Sequence, residues 1–259
     1  MTKLFRLKEW LKYQIFADTV YNIHSPFLFD FWQNVIQAAY KDDLYSTIIL
    51  PILRGFYMDK SYIQKYDLGT GKSKGVERVS YVAKTSSIRA KYGHILHQTV
   101  RYFKPRIMIE LGTCLGISTR YLYHSFEGEH FYSIEGSPQR LSLARTHLFE
   151  LDTKKFTLCQ GDFDTVLPIL LEKHPNIDLA FIDGNHTFRS TQRYFNLILP
   201  CSHANTVLIF DDIHWSRDMY KAWEYICTHP KVTLTLDLFQ IGICFFNSDL
   251  SKQRVILRY

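Results

Sequence analysis

Residues 109–119 read IELGTCLGIST, and residues 66–75 read YDLGTGKSKG. Each carries an acidic residue followed by Leu-Gly-Thr, the usual opening of a nucleotide-type loop, and the second adds a Gly-Lys-Ser that resembles a phosphate cradle. The context separates them. A phosphate loop of the form G-x-x-x-x-G-K-[ST] needs its first glycine at position 66, which is Tyr66. The SYIQKY ahead of it is short and mostly polar, so 66–75 reads as a loop. IELGTCLGIST instead follows an apolar strand ending at Ile109 and precedes a helical segment. Gly112 and Gly116 there permit a tight turn and close approach of backbone to a ligand.

From residue 106 onward, short β-rich apolar runs alternate with helix-period segments, the pattern of a parallel α/β sheet. The runs are RIMIEL (106–111), HFYSIE (130–135), KFTLCQ (155–160), DLAFID (178–183), TVLIFD (206–211), VTLTLDLF (232–239) and IGICFF (241–246). The last two are too close for a crossover helix and should pair antiparallel. Between the runs, Leu141, Ala144, Leu148 and Leu151 share a helical face, as do Phe188, Phe195 and Ile198, and Met219, Ala222, Trp223 and Ile226. The first 105 residues read as a helical extension ahead of a domain over 106–259. Leu4, Leu7, Leu11 and Ile15 form a helical stripe. Ser25-Pro26 opens a second helix with Leu28, Phe31, Trp32, Val35 and Ile36. A polar loop is expected at about 59–80 and a further helix near 86–103.

The hydrophobic fraction of 46% over 259 residues is enough for a sizeable core. No stretch approaches the roughly 18 apolar residues of a membrane span, and charges interrupt the N-terminus where a secretory signal needs an apolar run. A cytoplasmic location is the default expectation. The cysteines, Cys114, Cys159, Cys201, Cys227 and Cys244, stand singly, as packing residues in a reducing compartment do. The net charge of +6 is concentrated in residues 1–105, which hold sixteen Lys and Arg against eight Asp and Glu. Residues 60–91 alone hold eight basic and two acidic side chains. Such a segment is either a solvated surface or a collar attracting an acidic substrate.

Glu135, at the end of the strand after the glycine loop, is placed to accept hydrogen bonds from ribose hydroxyls. The loop spacing is E-x-G-x-x-x-G and not G-x-G-x-x-G. An acid at Glu110 suits a ligand with a positive end better than a pyrophosphate. On these residues the chain resembles the class I S-adenosylmethionine-dependent methyltransferases, over about 106–246. Within them it is similar to the catechol and macrolide-sugar O-methyltransferases. The resemblance implies a Rossmann-like seven-stranded sheet in the order 3-2-1-4-5-7-6 with the last strand antiparallel. It also implies S-adenosylmethionine as cofactor, held by Glu110, Gly112, Gly116, Ser118, Glu135, Asp162 and Phe163, with Asp162 beside the adenine amine. Asp162 reads equally well as a helix cap.

Two further strands end in acids, DLAFIDGNH at Asp183 and TVLIFDDIHW at Asp211-Asp212. Three carboxylates there repel unless hydrated, protonated or bridged by a cation, and oxygen ligation suits Mg²⁺. The resemblance implies a metal site at Asp183, Asp211 and Asp212, although the catechol enzymes carry Asp-Asn where this chain has Asp-Asp. The alternative is that Asp211 or Asp212 caps the following helix and Asp183 serves the turn. His186 stands where the catechol enzymes place a lysine base, with Asp183 beside it as the second catalytic residue and His214 as a competing base. His94 and His97 read as surface or packing residues.

The expected activity is transfer of a methyl group to a hydroxyl of a small molecule, an acidic one if 60–91 acts as a collar, with divalent-metal assistance. The rival readings are an RNA methyltransferase, for which no aromatic-and-basic signature is present, and a non-catalytic S-adenosylmethionine-binding protein. The N-terminal helices offer a face through which two copies could pair.

Overall fold

The computed structural model describes residues 2–22, 25–65 and 75–259. The loop expected at YDLGTGKSKG spans 66–75, of which 66–74 lie outside the described residues. In chain order the elements begin with α1 (Thr2–Phe16), α2 (Pro26–Phe31), α3 (Leu50–Met58), β1 (Tyr62–Gln64), β2 (Val76–Arg78), α4 (Val79–Ser86) and α5 (Ala90–Phe103). There follow β3 (Ile107–Leu111), α6 (Ile117–His124), β4 (His130–Glu135), α7 (Pro138–Leu148), β5 (Phe156–Gln160), α8 (Phe163–Lys173) and β6 (Ile177–Ile182). The chain continues through α9 (Phe188–Ile198), β7 (Ser202–Phe210), α10 (Arg217–Thr228), β8 (Leu234–Asp237), β9 (Gly242–Phe245) and β10 (Gln253–Ile256).

Eight strands form a sheet in the order β10-β8-β9-β7-β6-β3-β4-β5. The seven expected strands keep their expected order. β9 is antiparallel to both β7 and β8, as the short connection between the last two runs requires. The count is corrected by one: β10 adds to the edge, parallel to β8. A second correction concerns residues 59–80, expected as a loop. β1 and β2 pair there as an antiparallel ladder, and α4 follows directly.

The residues group into two compact units, Asn34–Leu170, and Met1–Gln33 with Leu171–Tyr259. In the first, β3, β4 and β5 run parallel with Ile109 opposite Tyr132 and Ser133 opposite Leu158. All five residues of β3 are buried, the mark of a strand covered on both faces. Leu141, Ala144 and Leu148 on α7, with Leu151 beyond it, point into this core as their spacing requires. In the second unit, Met219, Ala222, Trp223 and Ile226 on α10 are buried, as are Phe195 and Ile198 on α9, while Phe188 is only half-buried. Ser25 caps α2, its hydroxyl accepting from Leu28 N at 3.4 Å. The α1 stripe differs from a core face: Leu4, Leu7, Leu11 and Ile15 are all exposed. None of the five cysteines is in a disulfide.

Packing between α5 and α6 leaves no room at Gly93, where an added Cβ would meet the ring of fully buried Tyr121. Gly93→Ala is therefore expected to lower stability by about 1–3 kcal/mol, read as a shifted denaturant midpoint. An unchanged midpoint would mean that the two helices are not packed this closely.

Candidate active site

The unit of residues 34–170 contains the glycine loop. Gly112 N and Thr113 N both donate to Ile134 O, at 3.0 and 3.2 Å, so the turn leaving β3 is tied to β4. Gly112 and Gly116 take φ of 109° and 77°, which L side chains rarely adopt, and Cys114 is held at 49°. Gly116 caps α6. Its missing Cβ would come within 2.9 Å of Leu148 and 3.1 Å of the His147 ring. His147 itself donates from Nε2 to Leu115 O at 2.7 Å and accepts at Nδ1 from Arg120 Nε at 3.2 Å. Burial pushes its pKa down to about 4, so it is a neutral hydrogen-bonding strut under the loop.

Glu110 is fully buried, and its use differs from the expected ligand contact. Its carboxylate accepts from Ser118 Oγ at 2.5 Å, Thr119 Oγ1 at 2.6 Å and Ser133 Oγ at 2.6 Å. Burial raises its pKa to about 7, against the pull of those three hydroxyls, with Glu135 adding to the rise. Ser118, expected against the cofactor, is likewise buried and committed to Glu110.

Glu135 ends β4 with its two oxygens oriented by backbone. Cys114 N donates to one and Ser137 N to the other, each at 2.8 Å. A carboxylate offers about four lone-pair sites, so one site on each oxygen is left for a diol. Beside it, Arg140 pairs with Glu77 at 2.7 Å and stands in the field of Cys114 and Glu135. Asp162 is exposed immediately before α8, and Phe163 is buried.

The unit containing residues 171–259 carries the strand-end acids. The capping alternative fails for the two helices that follow them: Thr187 caps α9 and Ser216 caps α10. Asp183 and His186 lie 3.6 Å apart. Asp211 is buried, accepts from Gln240 Nε2 at 3.3 Å, and is followed by Asp212 in left-handed backbone at φ 54°. Burial, then the charges of Asp183 and Asp212, push Asp211 well above the usual carboxylate range, opposed by His186. Asp183, Asp212 and His186 thus all act on Asp211 electrostatically.

The expected ion site is not formed by that cluster. Among the described residues no three His, Cys, Asp or Glu side chains are placed to hold one metal ion. The physical reason is local. Asp211 is turned to the Gln240 amide and Asp183 is paired with His186, so raised proton affinity at Asp211 relieves the repulsion. His214, the competing base, is buried, with Nε2 2.8 Å from Asp237 and Nδ1 3.7 Å from Glu9, and its ring stacks on Phe239. It holds elements together and is not presented to solvent.

Sequence reasoning missed the supports. Gln240 and His147 belong to no motif, although the α7 period puts His147 beside Ala144 and Leu148. His97, read as a surface or packing residue, is buried and ion-paired with Asp42, which also accepts from Gln98 at 2.8 Å. His97, Asp42 and His124 line a cavity of about 690 Å³ with Lys41 and Arg101.

Residues 109–213 match the family model described as a methyltransferase domain. That span contains every expected site residue. No curated protein matches the chain significantly. Among solved structures, an O-methyltransferase from Bacillus cereus in complex with SAH aligns at TM-score 0.56 and 17% identity, covering 81% of this chain and 99% of that one. An SAH-bound methyltransferase from Podospora anserina aligns at 0.55 and 17%, covering 63% and 81%. The O-methyltransferase TomG from Streptomyces achromogenes, in complex with SAM, aligns at 0.53 and 19%, covering 62% and 82%. Residues 109–213 are thus similar to a methyltransferase domain, and the sheet has the fold of these methyltransferase structures. The resemblance read from IELGTCLGIST is borne out.

The Glu110 arrangement has a measurable signature. A carboxyl whose folded pKa, about 7, exceeds its unfolded value destabilises the fold as it ionises. Its contribution is neutral below the unfolded value of about 4.3, becomes unfavourable as pH rises, and levels off above about 7, by roughly 4 kcal/mol in all. Urea unfolding of wild type and Glu110→Gln between pH 5 and 8 should show this slope in the wild type and its loss in the variant. Parallel pH profiles would contradict the buried, raised carboxyl.

Proposed function

We propose that the chain transfers a methyl group from S-adenosylmethionine to a hydroxyl group of a small molecule. The observation that carries the reading is Glu135. Its two oxygens are aimed by Cys114 N and Ser137 N, with a lone-pair site on each left for the vicinal hydroxyls of a ribose. The residues fit the cofactor in other respects. Gly112 leaves β3 at a φ of 109° that side chains rarely adopt, and Asp162 and Phe163 provide an acceptor and an apolar surface suited to adenine. Bound there, S-adenosylmethionine supplies an electrophilic methyl on a sulfonium.

The protein's own contribution is to position the acceptor, exclude water and take up its proton. His186 is the base in this reading. Asp183, 3.6 Å away, orients the imidazole. Asp211, with raised proton affinity, is suited to donating a hydrogen bond to the acceptor oxygen, and Gln240 fixes its direction. No step is routed through a metal ion. The acceptor is taken to be small, and an acidic one would be favoured by the basic surplus of 60–91.

Replacing Glu135 with Ala should weaken S-adenosylhomocysteine binding at least about tenfold by calorimetry, because two charge-assisted hydrogen bonds are lost. Unchanged affinity in a variant that melts like wild type would remove the ribose assignment. Turnover, followed as labelled methyl entering the small-molecule fraction of a cell extract, should fall about 10² to 10⁴-fold in His186→Ala with cofactor affinity intact. It should persist in EDTA. Loss in chelator with recovery on Mg²⁺ would restore the ion to Asp183, Asp211 and Asp212, and binding without any turnover would favour a non-catalytic role.

A further inference from the structure

Helix α1 has two faces of different character. Its inner face is anchored: Tyr13 donates to Leu257 O at 2.5 Å and accepts from Tyr259 N at 3.0 Å. On the same side Arg6 lies 4.9 Å over the Trp215 ring, Phe5 meets Tyr220, and Glu9 approaches His214. The outer face carries the apolar stripe seen in the sequence. Leu4 is 74% exposed, Leu7 53%, Leu11 49% and Ile15 72%. At 3.6 residues per turn these four side chains fall within an arc of about 80°.

The charges are arranged around that stripe. Lys8 and Lys12 follow it on one side, and Lys3 and Trp10 border it on the other, all exposed. The helix has one acidic residue, Glu9, which is buried on the inner face and paired with Lys12. The outer face therefore offers apolar side chains and cations and no carboxylate.

We propose that this face of α1 docks on an anionic lipid surface, with the helix axis in the plane of the headgroups. An apolar stripe with lysines on both flanks is the arrangement such a site needs. Leu4, Leu7, Leu11 and Ile15 enter the acyl boundary, the stems of Lys3 and Lys8 extend along it on either flank, and their ammonium groups reach the lipid phosphates, while Lys12 stays with Glu9. Trp10 stands at the border, where indole rings favour the interface. Among the described residues no helix is long and apolar enough to cross a membrane, so the contact is peripheral. A second copy of the chain fits less well. Pairing two stripes would bring lysine rows together with no outward carboxylate between them, whereas an anionic surface neutralises both flanks. Because α1 is already fixed along its inner face, docking orders little additional chain.

The test is co-sedimentation of the full chain with large vesicles made of equal parts phosphatidylglycerol and phosphatidylcholine, compared with phosphatidylcholine alone. Binding to the anionic vesicles should be at least about tenfold stronger and should weaken as salt screens the lysines. Leu7→Glu with Leu11→Glu should reduce it at least about tenfold while leaving the melting temperature unchanged, since both side chains are exposed. Lys3→Gln with Lys8→Gln should lower the preference for anionic vesicles. Equal sedimentation of wild type and the double Glu variant, or none on either vesicle, would overturn the proposal. So would a concentration-dependent dimer in sedimentation velocity that the double Glu variant abolishes, which would assign the stripe to a second copy.

Discussion

A buried carboxylate organises the glycine loop. Glu110 sits at zero exposure on β3 and takes hydroxyl hydrogen bonds from Ser118 and Thr119 on α6 and from Ser133 on β4. Three elements are thereby fixed to one side chain. The loop between β3 and α6 can then hold Gly112, Cys114 and Gly116 at positive φ without collapsing. An ionised group at such a site is costly unless its lone pairs are filled, and the raised pKa of Glu110 shows that three hydroxyls do not fully offset burial. The arrangement trades stability for a defined loop, as ligand sites commonly do.

The same economy recurs at the strand-end acids. Asp183, Asp211 and Asp212 belong to the ends of β6 and β7, and their proximity is expressed in the raised proton affinity of Asp211. Helices α9 and α10 have their own caps in Thr187 and Ser216, so the acids are not consumed by helix termini. A carboxyl of raised proton affinity with a histidine in its field is the material of acid–base chemistry. Gln240 and the Asp183–His186 pair explain why this cluster is not arranged as an ion cage.

Much of the sheet was legible because its strands are short apolar runs with turn residues at both ends, and RIMIEL or TVLIFD has few other readings. β10 escaped because QRVI is half-exposed at an edge, with too few apolar residues to stand out. β1 and β2 escaped because three-residue strands carry almost no pattern. The α1 stripe shows a different limit: periodicity tells which residues share a face and not what covers it. Positions of Glu110, Glu135, Asp183, Asp211 and His186 followed from strand ends. The use made of Glu110 did not, since an acid in a glycine loop reads the same whether it faces a ligand or three internal hydroxyls. Gln240, His147 and His97 were invisible as supports because their partners are set by tertiary packing.

The central claim is that the glycine loop and Glu135 serve a nucleoside with a positively charged tail and no pyrophosphate. Calorimetric titration of the wild-type protein with S-adenosylmethionine and, separately, with NAD⁺ tests it most directly. The account requires saturable binding of S-adenosylmethionine with a stoichiometry near one per chain and no heat of binding with NAD⁺. Binding of NAD⁺, or no binding of S-adenosylmethionine by folded protein, would contradict it.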